Sequence, residues 1–217
     1  MIIRDKTIIK GKVVSTVIGP DGNVKRWSAE TRLIQWKSNI ANMLKFSNIH
    51  YIVRSIVLTI FMPFNLIFDT LFPRAMMGVT HNIVTDQGDA LIADIMSQTP
   101  ARQKLDNTHA YIEAGTAYSG TGAKAQTGCH TPTGSRQGME ATYPKQKGAF
   151  GAANDNVTQY RSIFAAGAFG SVTVNEAALL NASTSGDCLA YASVTPDAVM
   201  TAADSLQIDW EITYLGA

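Results

Sequence analysis

The sequence predicts a mainly β protein: an antiparallel β-sandwich of jelly-roll or immunoglobulin-like type, with one short helix and a helical, apolar insertion. Three observations predict it. Residues 205–214, SLQIDWEITY, alternate without a break, with Leu206, Ile208, Trp210, Ile212 and Tyr214 on one face and Ser205, Gln207, Asp209, Glu211 and Thr213 on the other. Strict period two over ten residues is the pattern of a strand with one buried and one wet face. Only 16% of the 217 residues are charged, and Gly, Ala, Ser and Thr dominate the second half. That mixture suits short strands and tight turns better than a helical bundle. Finally, IVLTIFMPFNLIFDTLF at 56–72 is far more apolar than the rest of the chain and stands apart from the strand-like segments around it.

The elements follow in order. TIIKGKVVSTVI at 7–18 is rich in β-branched residues and roughly alternates, which predicts a strand. Gly19-Pro20-Asp21-Gly22 is a turn, because Pro presets one dihedral and Gly accepts positive φ. NVKRW at 23–27 then reads as the return strand of a hairpin. At Ser28 the period changes: Leu33, Trp36, Ile40 and Leu44 recur at helical spacing over 29–46, with Ser28 as N-cap. In TDQGDALIADIMSQT, Leu91, Ile92 and Ile95 form the apolar face of a short helix capped by Thr85 or Asp86. AYIEAG at 110–115 is a strand, 116–138 a long, polar, glycine-rich loop, and further strands are expected at 159–165, 171–180, 188–194 and 205–214.

The formal net charge of +1 hides an asymmetry: residues 1–80 hold 11 Lys/Arg against 4 Asp/Glu, and residues 81–217 hold 7 against 13. The two parts can attract one another or neighbouring copies, or simply present two solvated faces. There is no polybasic tract, so no nucleic-acid partner is expected. Two cysteines are too few for a disulfide framework. Cys129 and Cys188 are expected as reduced, partly buried thiols, with a single bridge as the alternative. The N-terminal MIIRDKTIIKGK scatters charges among its apolar residues and lacks the continuous apolar run of a secretory signal, which predicts a protein made and kept in a cytoplasm.

The residues give no positive argument for an enzyme. A phosphate-binding loop needs Gly-Lys-Ser/Thr after its four-residue spacer, but Thr121 follows Gly120 where Lys is required. Cys129 and His130 are adjacent, so on a strand they would face opposite sides and could not grip one ion. There is no Gly-x-Ser-x-Gly, and Asp209 and Glu211 share the wet face of a strand. No catalytic, cofactor-binding or metal-ligating residue is therefore expected. Tyr111, Tyr118, Tyr143 and Tyr160 fit core or subunit contact, or a glycan-binding surface.

Five segments taken together resemble a recurrent small structural domain of tailed bacteriophages. They are the hairpin at 11–27, HNIVTDQG at 81–88 with its helix, YIEAGTAYSGTG at 111–122, NEAALLN at 175–181 and DSLQIDWEITY at 204–214. The corresponding family patterns are HN-x-V-T-x-x-G, YI-x-x-GTG, EA-x-L-x-N and D-x-L-x-x-x-W-x-I-x-Y. They occur in the right order over about three quarters of the chain. The resemblance implies a virion structural protein attached to the capsid surface, the tail or its fibres. It also implies a β-sandwich, no catalysis, and self-association that is often threefold. Other virion proteins would be its partners and the virion, assembled in the host cytoplasm, its location.

The chain departs from that family where residues 28–80 intervene between the hairpin and His81, so the domain is expected in two pieces, 1–27 and 81–217. The apolar run lies wholly inside the insertion. Between Arg54 and Arg74 lie 19 residues, enough to cross a hydrocarbon core, but Pro63, Asn65 and Asp69 interrupt them. Two short apolar helices packed on the sandwich or on a neighbouring subunit fit better than a membrane span. Trp36, Phe61, Phe64 and Phe68 are the expected contact residues, since an exposed patch this apolar needs cover. Two alternatives stand beside the structural reading. One is a receptor- or glycan-binding module of a tail fibre using loop 116–138, with Tyr118, His130 and Arg136 as contacts. The other is a protein anchored in a membrane through 55–73.

Overall fold

A computed structural model describes residues 8–25, 77–118 and 124–215. The chain divides into two units, Met1–Asn23 with Met77–Ala217, and Val24–Met76. Every element described here belongs to the first. The expected helix at 29–46, the apolar run at 56–72 and the contact residues Trp36, Phe61, Phe64 and Phe68 lie outside the described residues.

The protein is mainly β, with one short helix among the described residues. The strands are β1 (Ile8–Ile18), β2 (Met77–Val84), β3 (Tyr111–Gly115), β4 (Pro132–Gly138), β5 (Lys145–Gln146), β6 (Val157–Phe164), β7 (Thr173–Leu180), β8 (Cys188–Val199) and β9 (Ser205–Leu215); helix α1 (Asp86–Ile95) follows β2. All nine strands join one antiparallel sheet in the order β4-β3-β7-β8-β2-β1-β9-β6-β5. The sheet curls into a half-barrel. At its ends β4 returns towards β6, where Ser162 Oγ donates to the Gln137 carbonyl at 3.2 Å and Glu140 N to the Arg161 carbonyl at 2.8 Å. The sequence pointed to two stacked sheets; the hydrogen bonding shows one continuous sheet.

β9 behaves as its alternation predicts. Leu206, Ile208, Trp210 and Ile212 are fully buried, and Tyr214 is half-buried. Cross-strand register places Trp210 between Val13 of β1 and Tyr160 of β6, and Leu206 between Val17 and Phe164, so the central core is a stack of directly opposed apolar side chains. On the opposite face Arg161 Nε meets Asp209 Oδ1 at 2.5 Å, and Glu211 Oε1 accepts from Lys147 Nζ at 2.7 Å and Gln159 Nε2 at 2.8 Å.

Three expectations need correction. Of the return strand at 23–27, only an isolated bridge residue at Val24 appears among the described residues, because β2 takes one edge of β1 from Thr16 to Gly11 while β9 takes the whole of the other. Met77–Thr80, assigned by sequence to the insertion, are the first half of β2. The end of the expected loop 116–138 is strand β4, whose Gly134 has φ +65 and sits where a Cβ would come within 2.9 Å of the Ala168 carbonyl.

Helix α1 settles its own cap. Gly88 N donates to Thr85 Oγ1 at 3.0 Å, and the same hydroxyl donates to the Cys188 carbonyl. Leu91 is fully buried. Gly88 is the contact with β8: a Cβ there would lie 2.2 Å from the Leu189 carbonyl oxygen, so only glycine allows this approach.

Candidate functional site

Glu113 and Glu176 are carboxylates that the sheet buries. Glu113 on β3 lies opposite Ala178 on β7, Glu176 on β7 lies opposite Gly115 on β3, and Ala178 lies opposite Tyr191 on β8. Glu113, Glu176, Ala178 and Tyr191 therefore share one face of the sheet, the convex one, turned away from the Trp210 stack. An unpaired buried carboxylate would be very costly, so each must be matched by donors.

The donors come from the chain after β3, which folds back over this face. Glu176 Oε1 accepts from Thr131 N at 3.0 Å and Ala117 N at 3.3 Å; Oε2 accepts from His130 N at 3.0 Å and from the Tyr191 hydroxyl at 2.6 Å. Glu113 Oε2 accepts from Cys129 N at 2.7 Å, and Oε1 from Arg136 Nε at 2.9 Å. Arg136 continues outward to the Ala182 and Ser185 carbonyls at 2.9 and 2.5 Å. One guanidinium thus ties β4, β3 and the β7–β8 turn.

Two glycines, Gly115 at the end of β3 and Gly128 in the loop, make room for the carboxylates. A Cβ on Gly115 would sit 2.4 Å from Glu176 Oε1, and one on Gly128 would sit 2.9 Å from Glu113 Oε2. Around them Tyr118 stacks on Tyr191 with ring centroids 5.8 Å apart, and its N–H donates to Asn175 Oδ1 at 2.9 Å. His130 meets the Tyr191 ring edge-on at 5.9 Å. Tyr118 and Cys129 pack against the buried cluster of Ala178, Leu180, Cys188 and Tyr191.

The electrostatics follow from this packing. Burial by itself would raise the Glu176 carboxyl. The N–H groups of Thr131, His130 and Ala117 and the Tyr191 hydroxyl more than offset it and hold the group below the usual carboxylate range. Burial, then the neighbouring Glu176, pushes the Tyr191 hydroxyl up. Burial, then the charges of Glu176 and Glu113, raises Cys129 far above an ordinary thiol, and burial pushes Cys188 up to about 12. Neither thiol is poised as a nucleophile. Both cysteines are free, which is the expected reduced state rather than the bridge. Glu176 accepts four bonds and Glu113 two, one at each oxygen, so what this arrangement does chemically is fix a loop.

The structure brings Tyr118, His130 and Arg136 together around Glu113, Glu176 and Tyr191. Tyr118 and Arg136 are half-buried and His130 is exposed. The sequence reading missed both glutamates and Tyr191. A signal existed in NEAALLN, where an acid sits within a run otherwise fit for burial, but its partners lie 45 or more residues away along the chain for His130 and Thr131. Among the described residues no group of three or more His, Cys, Asp or Glu side chains could hold a metal ion, and no helix is long and apolar enough to cross a membrane. The segment 55–73 lies outside those residues.

A second surface feature stands at the far edge of the sheet. Phe150 is 97% exposed at the tip of the β5–β6 connection. The tip is closed by Gly148 N to the Asn154 carbonyl at 3.2 Å, Ala152 N to the Ala149 carbonyl at 2.9 Å and Gly151 N to Asp155 Oδ2 at 2.9 Å.

Comparison with models of known protein families and with characterised proteins finds no match to this chain.

Proposed function

We propose that this chain is a non-enzymatic structural protein of a bacteriophage virion, which self-associates and docks on the particle as a capsid decoration or a tail-attached module. The observation that carries the reading is the fate of its buried acids. Glu113 and Glu176 are the groups that acid–base chemistry would need, and every oxygen of both accepts from a donor that helps to pin a surface loop. The segments carrying the phage resemblance supply the same kind of framework role. Thr85 caps α1, Glu176 anchors the loop, and Asn181 bonds the Gln103 carbonyl at 2.8 Å and Asp187 N at 2.7 Å. Asp204 bonds Thr201 N at 2.7 Å, and Trp210 fills the core. In this reading the two halves of the curled sheet are the two layers of that family's sandwich.

Docking then falls to exposed apolar side chains on rigid supports, and Phe150 is the best placed of them among the described residues. The test has two parts. Immunogold labelling of purified particles with antibody against the recombinant chain should decorate the capsid or the tail; free virions without label would overturn the proposal. Light scattering of the purified chain should show an oligomer, and Phe150→Ser should weaken particle binding or association while leaving the melting temperature unchanged.

A further inference from the structure

We propose that Lys124–Thr131 is an acid-released strap, closed over an apolar patch by the ionised carboxylates of Glu113 and Glu176. The inference rests on geometry alone and is independent of the virion reading.

Two contacts fix the far end of the strap to α1 by ordinary means, and a third braces the strap internally. Asp86 N donates to the Lys124 carbonyl at 2.7 Å, Lys124 Nζ pairs with Asp89, and Gln126 Nε2 bonds the Gly128 carbonyl at 2.7 Å. Its near end depends on the two acids. Cys129 N reaches Glu113, while His130 N and Thr131 N reach Glu176; beside them Cys129 Sγ donates to the Glu113 carbonyl at 3.6 Å and the Thr131 carbonyl accepts from Thr116 N at 3.0 Å. A carboxylate accepts at every lone pair; a carboxylic acid carries a proton where one of these N–H groups now points. Protonation of Glu176, whose two oxygens already accept four bonds, therefore removes an acceptor and leaves one of these N–H groups facing an O–H.

The charged and titratable groups facing the strap bear on the sign. They are Glu113 from β3, Arg136 from β4, Glu176 from β7, Tyr191 and Cys188 from β8, Asp86 and Asp89 from α1, and Lys124, Cys129 and His130 of the strap itself. The strap N–H groups and the Tyr191 hydroxyl favour the ionised Glu176 carboxylate, so closure holds at neutral pH. It is lost as pH falls through the closed-state value of Glu176, below the ordinary carboxylate range. Opening bares Cys129, Cys188, Ala178, Leu180 and Tyr191.

Thiol labelling with a dithiodipyridine reagent, which still reacts in acid, reads the opening. The full chain should label slowly at neutral pH. As pH falls the rate should rise by about tenfold or more, the population change expected from losing one charge-assisted hydrogen bond, before loss of the far-ultraviolet circular dichroism of the sheet reports global unfolding of the core around Trp210. Glu176→Gln should label fast at neutral pH and lose the pH response. Glu113→Gln is a second variant should that one not fold. Labelling that stays flat in the wild-type chain until Trp210 unfolds, or that rises only together with it, overturns the strap.

Discussion

The Tyr191 hydroxyl donates to Glu176 Oε2 at 2.6 Å, and the ring that carries it is stacked by Tyr118 and edged by His130. One side chain thus completes the coordination of a buried carboxylate and supports the loop above it. Tyr191→Phe keeps the ring and removes the bond. It should cost about 1.5–3 kcal/mol, the range for a hydrogen bond to a charged group, measured as a lower denaturant midpoint at unchanged slope. An unchanged midpoint would show that Glu176 does not need this donor.

Asn82 lies flat against Gly11, its partner in the β1–β2 ladder: a Cβ on Gly11 would fall 1.4 Å from Asn82 Oδ1. Both polar atoms of that amide are buried without a hydrogen-bond partner among the described residues. Gly11→Ala should therefore destabilise by about 1–3 kcal/mol through overpacking. Asn82→Ala should be close to neutral, because it removes an unsatisfied amide. The double variant should recover most of the loss, giving a coupling energy of roughly 1 kcal/mol or more. Additive losses in a double-mutant cycle would refute the direct clash.

Trp210 is fully buried between Val13 and Tyr160, and its indole N–H has no partner among the described residues. Truncation to Ala should cost about 3–5 kcal/mol. Trp210→Phe should cost clearly less, since the lost N–H contributes nothing to satisfy. Equal losses for the two variants in thermal unfolding would mean that the indole makes a contact beyond its volume.

Asp106 organises the turn before β3. Burial would raise it slightly, but donors from the Thr108 and His109 side chains and Thr108 N lower its pKa to about 2 from 3.8. A depressed folded-state value means that its contribution is present above the unfolded value and is lost as pH falls from about 4 towards 2. Asp106→Asn should flatten the stability–pH curve in that window and lower the stability at neutrality, where the ionised carboxylate contributes in full. An identical acid limb in the variant would assign the loss to other carboxylates.

Local pattern made much of this legible. The alternation of 205–214 requires one face inside, whatever the neighbours, and Leu206, Ile208, Trp210 and Ile212 are there. The Leu91 face and the Thr85-or-Asp86 cap placed α1 to within a residue. β2 was hidden because MGVTHNIV does not alternate cleanly, and β4 because PTGSRQG has the composition of a turn. β4 forms because Tyr111 and Ile112 of β3 offer a free edge to Gly138 and Gln137; an edge strand needs little apolar surface of its own.

What the sequence determined by itself was what depends on neighbours within one strand or turn: the β character, the buried face of β9, the short helix and the free thiols. What only the tertiary structure decided was which edges pair and which acids are buried. Gly19-Pro20-Asp21-Gly22 makes its turn, with Gly22 N on the Gly19 carbonyl at 3.0 Å, but β1 finds its partners in strands that begin 59 and 187 residues after Ile18. Glu113 and Glu176 sit in runs otherwise fit for burial, but no local rule supplies their partners. They are interior because N–H groups from a loop and the Arg136 guanidinium converge on them, and such convergence exists only once the sheet has curled and the loop has closed.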